Sequence, residues 1–474
     1  MRDKMKKNIF QILVKTLLIL LLMYNYSYAQ NTFLKTYGGA GTNQGFSLIQ
    51  TADSGYALFG YTDGYKISLI KTNKSGDSLW TKVYGSGEIY LSYSLTNTPD
   101  GGYLLGFGNK LIKTDDLGNI QWNKSYDRTT IFSVDKTFDG GYVFTGYKDI
   151  TNDFNLKVFL MKVDNSGDSL WMNTLGIKSF VTPKSLQATS DSGYVITGYI
   201  STQKTSGVDL IVIKTDKKGD TLWTKTYGYD RQDSGNKITE TKDGNYFITG
   251  EYTIQPCEYC DLLLHTWLLK LDQNGDTLWT KKMNLGRWEL SSTGKPTKDG
   301  GYVITGSTNT HLFMVKTTEF GDTVWTKTFI DTGIYRSEGH DIIQTNDDGY
   351  AITGSIMYYN DQTDIILLKL DKDGNITAID NKNETIPVEF SLQQNYPNPF
   401  NPETTINYTL PESGNVQVKT FDVLGRELKT LVNEYSGSGL HSVKWDGSNY
   451  SSGIYFCSIT FKGKTLNNKM LLMK

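Results

Sequence analysis

Cysteine is scarce, with three in 474 residues. That is too few to staple a chain of this length, so an apolar core must hold the fold together. A strong charge of one sign is also missing. Taking the five basic and one acidic side chains of residues 1–29 from 48 Lys+Arg and 50 Asp+Glu leaves 43 against 49, a net charge near −6. That balance argues against nucleic acid or an anionic membrane surface as a partner. Long apolar runs are absent beyond the first 30 residues, MRDKMKKNIFQILVKTLLILLLMYNYSYAQ. The basic start, the apolar stretch from Thr16 to Met23, and the small residues Ser27 and Ala29 read as a secretory signal cut after Ala29. Gln11 and Lys15 interrupt the run, which is too short for a transmembrane span. Gln30, where a lipoprotein would carry cysteine, argues against a lipid anchor. No helical period appears in the rest of the chain.

What is abundant is glycine, at 47, and tyrosine, at 31, with much threonine and valine: strands and tight turns. The tetrapeptides DSGY (53–56), DGGY (100–103), DGGY (139–142), DSGY (191–194), DGNY (243–246), DGGY (299–302) and DDGY (347–350) mark seven copies of one unit. From Tyr56 to Tyr350 is 294 residues over six intervals, a mean of 49. The fourth copy reads SLQAT, turn, GYVITGY, loop, VDLIVIKTD, turn, DTLWTKTYG: four short strands. Four strands every ~40–50 residues predict a propeller blade, whose sheet must stack on neighbours to bury both faces. FLKTY (33–37) matches the WTKTY that ends the fourth copy but stands before the first full repeat, whereas the seventh copy ends at GNITAID (374–380) without tryptophan. The N-terminal strand is therefore expected to complete the seventh blade and lock the ring.

A second motif recurs as TNKSGDSLW (72–80), VDNSGDSLW (163–171), TDKKGDTLW (215–223), LDQNGDTLW (271–279) and TTEFGDTVW (317–325). Each copy offers two or three oxygens, against the roughly six to eight of a calcium site. The spacing predicts a hairpin turn: Asp216 accepts backbone N–H bonds, Gly219 takes the left-handed conformation, and Trp223 enters the gap between blades. The motif resembles the sialidase Asp-box, in which Asp, Gly and aromatic lie one residue closer together. It also resembles the docking-tryptophan repeat of pyrroloquinoline-quinone enzymes, which has a longer Asp-to-Gly gap. Neither resemblance transfers an active site. The repeat as a whole is similar to propeller regions of exported proteins from Bacteroidetes-like bacteria.

Composition changes near residue 381, and five of nine prolines fall between Pro387 and Pro411. The division expected is a signal peptide (1–29), a seven-bladed β-propeller (30–380), a linker (381–388) and a small Ig-like β-sandwich (389–474), an all-β chain throughout. NYPNPFNPETTINYTL (395–410), VLGREL (423–428), VKWDG (443–447), SSGIYF (451–456) and the terminal KMLLMK (469–474) resemble the type A sorting domain of the type IX secretion system. The resemblance implies passage through the periplasm, recognition by the translocon and its sorting protease, and release or display at the cell surface. Lys469, Met470, Leu471, Leu472, Met473 and Lys474 are then the secretion signal, a final strand expected to offer its edge to the translocon.

On the propeller, the loops between second and third strands and between blades vary, so binding is expected on that face. Arg128, Arg231, Arg287 and Arg336 lie in predicted blade-to-blade loops and suit an acidic ligand, or else pair with neighbouring acids. Cys257 and Cys260 sit in a long loop of the same face and are expected to form a local disulfide; Cys457 reads as a core residue. No catalytic residue, metal site or cofactor is assigned. Two functions remain: a non-catalytic binding or scaffold module for a glycan or protein, and a carbohydrate-active, sialidase-like or other glycan hydrolase acting on the variable-loop face.

Overall fold

The computed structural model describes residues 32–474 except 40, 87–91, 151–155, 178, 202–206, 229–231, 256–262, 286–288, 330–333, 377–389, 393–394, 396, 411–413 and 437–438. The expected signal peptide and linker, Arg231, Arg287, Cys257 and Cys260 lie outside the described residues.

Among the described residues there are seven four-stranded antiparallel sheets, each following the chain, then a three- and a four-stranded sheet. The first blade runs Gln44–Gln50, Tyr56–Thr62, Lys66–Thr72, Ser78–Ser86. The seventh runs Ile334–Gln344, Tyr350–Tyr358, Thr363–Leu370 and is completed by Phe33–Tyr37, in register from Phe33↔Lys369 to Tyr37↔Ile365. First strands of neighbouring blades lie side by side, so they are innermost. The ring closes where Leu48 N donates to Asp341 Oδ2 at 3.0 Å.

Burial explains the strand sequences. The second strand YALFGYT is buried at every position because blades cover both of its faces, and it reads as continuously apolar. The outermost strand TLWTKTY alternates half-buried and exposed. Its inward residues grip the next blade's turn: Trp223 Nε1 donates to Gln273 O at 3.2 Å, Tyr227 Oη to Gly275 O at 2.6 Å, and Lys225 Nζ lies 2.6 Å from Asp276 Oδ1. Inside the turn Asp216 Oδ1 accepts from Lys218 N (2.8 Å) and Asp220 N (2.9 Å), and Gly219 sits at φ 82°. The repeated motif is a hairpin, and it is also the seat for the preceding blade's tryptophan. A second latch repeats at the other turn of this end. Each of Lys71, Lys113, Lys162, Lys214, Lys270, Lys316 and Lys369 crosses its blade to the aspartate of the Asp-x-Gly-Tyr-type turn, Asp53 to Asp347 in chain order.

In the C-terminal unit Ser391–Leu392, Glu403–Leu410 and Gly439–Asp446 form one sheet, and Glu427–Ser436, Gly414–Phe421, Gly453–Phe461 and Lys464–Leu472 the other. Ile406, Tyr408 and Trp445 of the first share a core with Val418, Ile459, Met470 and Leu472 of the second. Cys457 is buried there, which pushes its thiol up to about 12. The expectation of an open terminal edge needs correcting over its last residues. Phe400 N donates to Leu471 O and Met473 N to Phe400 O, both at 3.0 Å, while Asn398 Oδ1 accepts from Leu471 N at 2.8 Å. The Asn-Pro-Phe turn thus occupies the edge that was expected to face a partner.

Candidate functional site at the channel mouth

Antiparallel order sends the two short, uniform turns of each blade to one end of the ring and the variable loops to the other. On the variable side, the innermost strands carry a shared irregularity. Register slips by one residue at Phe46, Phe132, Lys184, Asn236, Ser292 and His340, a matching slip in each of six blades, and the seventh blade slips again at Tyr335. Tyr93 opens the innermost strand of the second blade at the matching place. A bulge leaves one residue unpaired and re-aims its side chain. Here the bulges build a ring around the channel mouth whose chemistry changes from blade to blade.

One arc is aromatic. Phe46 stacks between Tyr93 (4.8 Å, 11°) and His340 (5.0 Å, 6°), and Tyr61 leans on both Phe46 and Tyr93. His340 Nδ1 meets Gly45 O at 2.8 Å and Nε2 meets Glu338 Oε2 at 3.0 Å, while Arg336 Nη2 lies 2.6 Å from Glu338 Oε1. Burial alone would raise the Glu338 carboxyl, but His340 and Arg336 outweigh it and hold it below the usual carboxylate range.

The opposite arc is polar. Lys184 Nζ donates to Asn236 Oδ1 at 2.6 Å and lies 5.6 Å from the Tyr199 ring centre. Asn236 also hydrogen-bonds Glu251, whose carboxyl burial nevertheless pushes up. One residue deeper, Lys237 stands in electrostatic reach of Lys295, Asp341 and Asp135, on blades six, seven and three. Lys295 Nζ pairs with Asp341 Oδ1 at 2.8 Å, and Asp135 Oδ2 accepts from Ala188 N at 3.0 Å.

The predicted arginines fare differently. Arg128 precedes its innermost strand at φ 54°, half exposed, 3.7 Å from Asp127 of the same turn. Arg336 lies inside the strand Ile334–Gln344, not in a blade-to-blade loop, and is committed to Glu338. These two stand on blades three and seven and do not form one cluster. The bulge ring, Lys184 and Lys237 went unnoticed in the sequence. Strand alternation would have flagged Arg336, Glu338 and His340, spaced by two. Among the described residues no group of three or more His, Cys, Asp or Glu could hold a metal ion.

Comparison with known proteins agrees with the export signal read in the C-terminal unit. Residues 394–473 match the model of the secretion system C-terminal sorting domain. No curated protein matches the chain. Among solved structures, a Bacteroides caccae protein of unknown function is 14% identical, with a TM-score of 0.40 over 58% of this chain and 94% of that one. The Neurospora crassa Pan2 WD40 domain is 8% identical, with a TM-score of 0.48 over 69% and 89%. The β-propeller domain of Cps50 (Swd1) from Myceliophteria thermophila is 10% identical, with a TM-score of 0.45 over 71% and 99%. No helix among the described residues is long and apolar enough to cross a membrane. The chain is an exported, secreted or cell-surface protein whose residues 394–473 are a type IX secretion system C-terminal sorting domain, carried behind a β-propeller.

Proposed function

We propose that the exported propeller is a binding module without catalytic activity, and that its ligand seats in the bulge ring at the channel mouth. One observation carries this reading: six innermost strands bulge at the same position, yet the bulged residue is Phe, Phe, Lys, Asn, Ser or His. The turns at the opposite end of the blades repeat, whereas this end varies, as a binding face on a rigid scaffold does. A second reading, a glycan hydrolase, draws on Glu251 and Glu338. They occupy the same layer on blades five and seven, one carboxyl pushed up by burial and the other held down, as an acid and a base would need. The purified propeller should be screened against neutral and acidic glycans for retention and product together. Retention without product supports the binding module. Product that disappears in Glu251→Gln assigns the hydrolase instead.

A further inference from the structure

Building on the binding reading, we infer that the ligand is a neutral sugar, held where blades seven and one meet, with its ring against Tyr65 and its hydroxyl groups on Arg336 and Glu338. The backbone singles out Tyr65. Asp63, Gly64 and Tyr65 join the second and third strands of blade one, and all three are left-handed, at φ 47°, 72° and 75°. Glycine takes that conformation freely, but a bulky side chain there is strained. Among the described residues no other aromatic one has positive φ. Anchors hold the strain in place: Asp63 N donates to Asn43 Oδ1 at 2.8 Å, and Asn43 Nδ2 donates to Thr363 O of blade seven at 2.6 Å. Strain maintained in this way clusters where a side chain must be fixed for function. It sets the half-buried Tyr65 ring at the variable end of blade one, 5.3 Å from Tyr61, which leans on Phe46 and Tyr93.

Blade seven presents a polar row to this arc. Along its innermost strand Ser337 and Gly339 are buried, while Arg336, Glu338 and His340 between them are half-buried. His340 stacks on Phe46 and meets Gly45 O, so the row lies against blade one. Its charged groups are spent on each other, because Arg336 and His340 both sit on Glu338, at 2.6 and 3.0 Å. An acidic ligand therefore finds no uncompensated cation there, and a basic one no uncompensated carboxylate. What remains is a mixture of donors and acceptors. Arg336 is 37% exposed and its Nε has no acceptor among the described residues, while the Glu338 oxygens keep lone pairs beyond those already used. Vicinal hydroxyl groups both donate and accept, which matches such a row, and the C–H face of the sugar covers the Tyr65 ring. The anchored turn presents that ring without further ordering on binding.

The test is affinity electrophoresis of the propeller with its sorting domain attached, in gels cast with a β-glucan, a mannan, a xylan or, as the acidic comparison, polygalacturonate. At least one neutral polymer should retard the protein more than polygalacturonate does, and added salt should leave that retardation unchanged. Tyr65→Gly and Arg336→Gln should each lose about tenfold or more in affinity for that polymer, whereas Tyr65→Phe, which keeps the ring, should bind as the parent does. Tyr65→Gly should stay folded by circular dichroism, because glycine takes the turn without strain. Phe138→Ala, exposed on a turn at the opposite end, should change nothing. Polygalacturonate retarding the protein as much as any neutral polymer, or undiminished retention of folded Tyr65→Gly and Arg336→Gln by the neutral one, overturns this inference and leaves the binding module standing. If no polymer retards the protein, both fall.

Discussion

The ring of Phe33 lies directly over Gly76, where a single added methyl group would collide with it. Trp80 over Gly118, Trp171 over Gly219, Trp223 over Gly275 and Trp325 over Gly374 repeat the relationship around the circle. Tyr37 Oη donates to Gly76 O at 2.6 Å, as Tyr227 does to Gly275. The first strand of the chain therefore does for blade one what each outermost strand does for its successor.

Gly76→Ala should consequently cost more than Gly140→Ala. Both glycines have positive φ, 78° and 86°, so either alanine meets roughly 1–2 kcal/mol of backbone strain. Only at Gly76 does the new methyl also strike an aromatic ring, adding about 1–3 kcal/mol; open space surrounds Gly140. Urea midpoints of the two variants check the difference, and Phe33→Ala combined with Gly76→Ala should recover part of it.

Asp216→Ala removes two backbone hydrogen bonds, at about 1 kcal/mol each, and should leave ligand binding at the far face unchanged. Thermal melts and titration of the same sample separate the two effects. Lost binding at unchanged stability would make the turn a contact site.

Acid should unfold the propeller through its turn aspartates. Burial alone would raise Asp53, Asp100 and Asp243, but hydrogen bonds from Lys71, Thr98 and Lys113, and Thr241 and Lys270 respectively hold each at about 2. Their folded values lie below the ordinary 3.8. The stability they add is thus present above about pH 4 and lost as pH falls toward about 2. Asp364 has the opposite sign, because burial raises it to about 6. Its contribution is present below about pH 4 and lost as pH rises through about 6. Melting temperature across pH should show both limbs, and Asp364→Asn should flatten only the upper one.

Export should depend on the fold of the terminal strand. Met470 and Leu472 are fully buried, whereas Met473 is 55% exposed. Leu472→Ser should unfold the sorting domain and trap a folded propeller in the periplasm, while Met473→Ser should leave that domain's melting unchanged. Asn398→Ala, which removes the bonds to Leu471 N and Lys469 O, should lower its stability by about 1–2 kcal/mol. Grafting residues 381–474 onto an unrelated periplasmic protein should send it outside. Cell fractionation and blotting read each outcome.

Much of this architecture was legible because its physics is local and repeated. The turn glycines, the Trp-x-Lys-x-Tyr alternation and the unmatched FLKTY at the start each state their role within a few residues. The buried lysine of the third strand was harder to interpret. Lys214 sits in an apolar run and looks anomalous until its partner Asp191, 23 residues earlier, is brought within 2.8 Å. The bulge ring was invisible for a different reason: a bulge is a mismatch between two strands, and neither strand's own pattern records it. Arg336 was put in a loop because residue type was weighed without strand register, which sets it inside a strand beside Glu338.

Closure by Phe33–Tyr37 also sets the order of assembly. The strand is made first, yet its partner Thr363–Leu370 is made some 330 residues later. Loops of that length add little to the equilibrium cost but slow the search for the native pairing. Until Thr363–Leu370 is made, Phe33–Tyr37 has no strand to pair with and the ring remains an open arc. The last blade to be completed is therefore the one that joins the oldest part of the chain to the newest, so a nascent or truncated propeller cannot count as finished before the segment leading to the sorting domain has emerged.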